Sequence, residues 1–214
     1  QHACAAAIQM KKTEIEMNAE IERIASEPKP ETMDEELYSA FTKMVQNQKT
    51  IFTRIGLNSG EMIAGYMGSE NKKNYTMMGN NVNLASRLEG VNKQYHTAGI
   101  MISEATRNLL GDFFLVRTLD RVRVVNVNTP IRLYELIDEK ELATEAQLRY
   151  FEKWETALQK FESKDFAGAA QIMNALAAEN PKDAVVGYYL SLLNNFFLKG
   201  IVPTEKDDVG VALN

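Results

Sequence analysis

Residues 74–90, NYTMMGNNVNLASRLEG, change their hydrophobic period at a single glycine. Ahead of Gly79, the run Tyr75, Thr76, Met77 and Met78 suits an extended strand. Beyond it, Val82, Leu84, Ala85, Leu88 and Val91 recur at helical spacing. A chain with this switch must hold a strand and a helix against one core, so all-helical and all-strand folds are excluded. Asn83 and Arg87 are four residues apart, side by side on the helix and off its apolar stripe. A polar pair beside a strand-to-helix turn is the chain's first candidate for chemistry.

The same periodicities order the rest. Ala3, Ala7, Met10, Met17, Ile21 and Ile24 predict a long first helix, stopped by the prolines of SEPKPE. Thr32 with Glu35 reads as a capping box opening a second helix through Leu37, Phe41, Met44 and Val45. TIFTRIGLNSGEMIAGYMG predicts a strand, a turn at NSG and a returning strand, and SENKKN is a polar turn before residue 74. After the helix of residues 80–95 come a short buried strand, GIMIS, a helix over residues 103–110, and alternating strands in FFLVRTLDRVRVVNV and PIRLYELID. The succession predicts an α+β domain of ferredoxin-like type, with a mixed, largely antiparallel sheet, over residues 1–138.

From residue 139 to 214 strand signals vanish and only helical periodicity remains. Phe166, Ala169, Met173, Ala177 and Pro181, with Trp154, Leu158 and Phe161 on the preceding helix, resemble a tetratricopeptide helix pair. About three repeats are needed for a solenoid, so the segment is expected to dock as a helical extension on the α+β domain or on a partner subunit.

Composition narrows the partners. Hydrophobic residues make up 45% and charged residues 25%, enough for a packed core. A net charge of -5 argues against nucleic acid, whose phosphates call for clustered Lys and Arg. Cys4 is the sole cysteine, ruling out an internal disulfide and suiting a reducing cytoplasm, and with only His2 and His96 beside it a zinc site is not expected. The longest apolar run, VVGYYLSLL, is too short to span a bilayer. The chain does not begin with Met and is expected to start inside a domain; a membrane anchor upstream stays open.

RIGLNSGEMIAGYMGSENKKNYTMMGNNVNLASRLEGVNKQY, followed by ISEAT and LDRVRV…PIRLYEL, resembles the later part of a class III adenylyl/guanylyl cyclase catalytic domain. The likeness covers about residues 1–137 and is strongest over residues 54–94. It implies conversion of a nucleoside triphosphate to a 3′,5′-cyclic monophosphate and pyrophosphate, in a homodimer with sites at the interface. By the same resemblance, Asn83 orients the ribose, Arg87 stabilises the transition state, Thr76 reads the base with ATP favoured over GTP, and Gly79 makes the tight turn against substrate. Those roles suit a reaction that depends on positioning and charge stabilisation.

The resemblance also implies two Mg2+ or Mn2+ ions held by two aspartates that precede Gln1, so the fragment alone is expected to be inactive unless the missing part is supplied separately. Asp112, Asp120 and Asp138 read as loop or strand-end residues and are assigned no metal. Where the family places VKGK, this chain has VVNV, with Val125 and Val127 in place of lysines that reach the triphosphate. Arg123 and Lys93 are the nearby cations. Two alternatives stay open: a catalytically degenerate dimerisation domain, and an adaptor working through the helical extension. GEMIAGYMGSE lacks the Gly-Lys-Ser/Thr ending of a phosphate-cradling loop.

Overall fold

The computed structural model describes residues 1–69, 72–122 and 130–200. Two compact units emerge, His2–Thr53 and the chain from Arg54 onward.

The first unit is a pair of packed helices, α1 (His2–Ser26) and α2 (Glu35–Gln46). The buried positions of α1 are Cys4, Ala7, Ile8, Glu14, Ile21 and Ile24, whereas Ala3, Met10 and Met17 face solvent. The stripe is therefore turned from the one expected, and it admits a carboxylate. Glu14 is affordable there because Lys11 pairs with it and the Thr53 backbone N–H donates to its other oxygen at 2.5 Å. Asn18 likewise clasps Ile51, accepting from its N–H and donating to its carbonyl, both at 2.8 Å. The start of α2 also differs from expectation. Asp34, not Thr32, is the cap: its extended backbone lets one carboxylate oxygen accept from the N–H groups of Glu36 and Leu37. Thr32 lies in the preceding turn, closed by Met33 N–H to the Pro30 carbonyl at 3.0 Å.

From Arg54 the order is β1 (Ile55–Leu57), β2 (Ile63–Ser69), β3 (Lys72–Met78), α3 (Asn80–Tyr95), β4 (Ile100–Ser103), α4 (Glu104–Leu110), β5 (Phe114–Val122) and β6 (Ile131–Glu139). Helices α5 (Glu145–Glu162), α6 (Phe166–Glu179) and α7 (Ala184–Lys199) follow. This is the α+β succession that periodicity predicts, with a largely antiparallel sheet and a helical C-terminal part. The pairing of β1 departs from expectation. It does not fold back on β2 but runs parallel to β4, Ile55 opposite Ile100, in a sheet ordered β1-β4-β6-β5 whose other contacts are antiparallel. β2 instead pairs with β3, Tyr66 opposite Tyr75, as a separate hairpin.

One hydrophobic cluster joins α3, the sheet and the C-terminal helices. It includes Leu84, Leu88, Tyr95, Met101, Leu133, Trp154, Leu158, Phe161, Met173 and Tyr189. Of the positions that suggested a repeat, Trp154, Leu158, Phe161, Phe166, Ala169 and Met173 are buried in this cluster and Ala177 packs against it, α5 lying on β5 and α6 on α5 and α7. Trp154 Nε1 donates to the Thr118 carbonyl on β5 at 2.8 Å, so its ring is buried without leaving a stranded donor. No described helix is long and apolar enough to cross a membrane.

Candidate functional site

Gly79 has φ 141° and ψ 163°, a conformation open to glycine and strained for other residues. It ends β3 and starts α3 in one step, its carbonyl accepting from the Val82 and Asn83 N–H groups at 3.1 and 3.1 Å. The helix then buries Leu84, Leu88, Val91, Asn92 and Tyr95. Asn83 is exposed and Arg87 half-buried, one turn apart on the flank. Neither side chain makes a hydrogen bond or ion pair among the described residues. Other arginines contrast with this: Arg54 pairs with Glu89, Arg132 with Glu162, and Arg117 with Glu135 and Asp183. A guanidinium held on a helix without an internal partner is free to serve an external anion.

Several residues not picked out from sequence hold α3 in place. β1 lies so close to it that a Cβ at Gly56 would stand 2.2 Å from the Ala85 carbonyl oxygen. Asn92, buried in the helix, donates to the Ile55 carbonyl at 3.1 Å. The NSG loop is fastened to the first turn of α3: Asn58 Nδ2 donates to the Asn81 carbonyl and side-chain oxygen, and Asn81 Nδ2 donates to the Glu61 carbonyl. Ser103 in turn donates to Asn58 Oδ1 at 2.6 Å. The sequence signal was present, since NSG and GNN are asparagine-rich, but turn propensity alone does not show that two turns bond each other. At the far end, His96 closes the helix in the left-handed region, with φ 53°.

Thr76 sits exposed on β3 opposite Gly65, three residues before Gly79, and α3 packs against this strand. Lys93 is exposed in the last turn of α3. Val125, Val127 and Arg123 lie outside the described residues. Asp112 is engaged by Lys140 at 2.6 Å. Asp120 is a β5 residue accepting from Tyr95 Oη at 3.1 Å, and burial pushes its carboxyl up. Asp138 lies near the end of β6. Among the described residues no group of three or more His, Cys, Asp or Glu is placed to hold a metal ion. What the chain does present is a neutral amide and a cation side by side, beside a glycine turn and a strand hydroxyl. That set can bind a sugar hydroxyl and a phosphate together.

The chain is 37% identical over 92 residues to the terminal-differentiation specific adenylate cyclase of Dictyostelium discoideum, covering 42% of this chain and 4% of that protein. It is 35% identical over 85 residues to adenylate cyclase 1 of Rhizobium meliloti, covering 40% and 13% respectively. It therefore spans only a small part of these relatives. Among solved structures, the adenylyl cyclase of P. aeruginosa aligns with a TM-score of 0.40 at 26% identity, over 51% of this chain and 56% of that one. The model of the adenylate and guanylate cyclase catalytic domain matches residues 3–137, and the chain belongs to that family.

Proposed function

We propose that this chain contributes to a nucleotide cyclase that converts ATP to 3′,5′-cyclic AMP and pyrophosphate. The ribose 3′-hydroxyl attacks the α-phosphorus and loses its proton, the bond from that phosphorus to the bridging oxygen breaks, and pyrophosphate leaves. Asn83 holds the ribose. Arg87 offers its guanidinium to the charge growing on the α-phosphoryl oxygens. Thr76 reads the adenine, and Gly79 brings backbone close to substrate. The observation carrying this reading is the pair itself: one turn apart, off the buried stripe, and without partners among the described residues. ATP is favoured over GTP because adenylate cyclases stand among the relatives, although a guanylate cyclase of Plasmodium falciparum matches as well.

The reading gives this chain the sugar-side and phosphate-side groups only. Mg2+ or Mn2+, implied by the family, finds no ligand set among the described residues and would be held by others. A homodimer with shared sites accounts for that division, and the β2–β3 hairpin supports it. Tyr66, Tyr75 and Met77 on one face of the hairpin, and Ile63 and Met78 on the other, are all more than half exposed, leaving apolar surface suited to burial against a second copy. Val125 and Val127 favour a second reading, a non-catalytic cyclase-like dimer, because they remove lysines from the triphosphate's place.

Full-length protein with Mn2+ and ATP is expected to release cyclic AMP, and Arg87→Ala to lower turnover about 10²–10³-fold with an unchanged fold. A loss below about tenfold would remove Arg87 from the reaction. Complete inactivity of the unsubstituted protein would favour the non-catalytic dimer.

A further inference from the structure

Resting on the cyclase reading, we infer that the C-terminal helices are a positioning element for α3, with Tyr188 and Asp183 acting through that helix on Asn83 and Arg87. Two routes run from α7 to the same place, the C-terminal end of α3. One is a ring contact. Tyr188 of α7 lies edge-on to Tyr95 with centroids 5.3 Å apart, and 6.3 Å from His96, the residue that closes α3. Tyr95 is itself fixed by donating to Asp120 of β5 at 3.1 Å.

The other route is a chain of charges. Asp183, which caps α7, accepts two parallel hydrogen bonds from Arg117 of β5, both at 2.8 Å. Arg117 Nε lies 3.2 Å from Glu135 Oε2 on β6, and Glu135 Oε1 accepts from the Ala98 N–H at 2.6 Å, in the link between α3 and β4. These side chains are buried, and Arg117 lies over the rings of Phe151 and Trp154, 5.1 Å from each centroid. A helix is stiff, so a tether at Tyr95–Ala98 sets the rotation and axial position of Arg87, roughly 12 Å away at about 1.5 Å per residue. Displacement by a fraction of that distance is enough to misplace a guanidinium at a transition state.

Two measurements test this. In full-length protein, Tyr188→Leu is expected to lower kcat about 10- to 100-fold while KM for ATP stays within about twofold, and Tyr188→Phe, which keeps the ring, to restore turnover. In the 214-residue chain, amide exchange across residues 80–95 is expected to quicken in Tyr188→Leu and in the milder Asp183→Asn, while β4 stays protected. The inference is overturned if Tyr188→Leu turns over at the wild-type rate, if Tyr188→Phe fails to rescue, or if exchange in α3 is unmoved in both variants. Should the unsubstituted protein make no cyclic nucleotide, the cyclase reading falls, and the exchange measurement alone decides whether α7 holds α3.

Discussion

Replacing Asp183 with alanine removes three things at once. Its carboxylate caps α7 by accepting from the Val185 and Val186 N–H groups, forks onto Arg117, and accepts from Tyr150 Oη at 2.7 Å. Loss of a cap costs about 1 kcal/mol. Removing one partner of a buried ion pair costs about 3–5 kcal/mol, because the other charge is left without compensation. The lower end applies here, since Arg117 keeps Glu135 beside it. About 4 kcal/mol is therefore expected for Asp183→Ala, and at an m-value of about 2 kcal/mol/M this moves the urea midpoint down by about 2 M. Asp183→Asn retains one acceptor oxygen for the cap and turns an amide N–H toward the Tyr150 hydroxyl, which can accept from it, and is expected to lose about half as much. Trp154, the only tryptophan, lies against Arg117 and reports the transition by fluorescence. Acid supplies a signed check. Burial pushes the Asp183 carboxyl up, but the Arg117 guanidinium and the Tyr150 hydroxyl more than offset it and hold it below the ordinary range. Its contribution is thus complete above the unfolded pKa of about 4 and lost as pH falls through the folded value. Glu135 is shifted the other way, chiefly by burial, and the Asp183 charge adds to its rise, so wild type and Asp183→Asn are compared in the acid range where Glu135 is already protonated in both. A cost below about 1 kcal/mol for Asp183→Ala, or a difference that grows with acid, would refute the reasoning.

Three further outcomes follow from the same geometry. Gly79→Ala forces a side chain into φ 141° and is expected to cost about 1–3 kcal/mol in chemical unfolding, with turnover falling as the first turn of α3 shifts. Trp154→Phe leaves the Thr118 carbonyl without its donor and is expected to cost about 1–3 kcal/mol, read by circular dichroism because the fluorophore is gone. Tyr66→Glu places a charge in the exposed apolar hairpin, and sedimentation is expected to show dimer giving way to monomer with the fold intact.

What sequence revealed and what it hid divide along range in the chain. The order of elements could be read because each rests on a local period: GIMIS became β4 with every residue buried, and α3 began where the glycine broke the strand. Asn83 and Arg87 were visible for the same reason, a spacing of four on one helix. The errors are also local in kind. Thr32 and Asp34 both carry capping oxygens, and which one caps depends on a turn that composition does not fix. Alternation marked β1 as a strand but could not name β4 as its partner, because a strand's period is the same whichever neighbour it pairs with.

The supports of the site are of another order. Arg117 and Asp183 are 66 positions apart, and Glu135 reaches back 37 to Ala98. Each of the three is an ordinary charged residue in a strand or at a helix start, and charge alone marks none as buried. Burial of this kind survives only when partners arrive from distant elements and satisfy one another. The groups proposed to touch substrate thus follow a local pattern, while the groups holding them in register depend on the whole tertiary structure. A domain boundary drawn at residue 138 from composition would separate Asp183 from Arg117 and Trp154 from Thr118, and with them two of the bonds that fasten α5 and α7 to the sheet carrying α3.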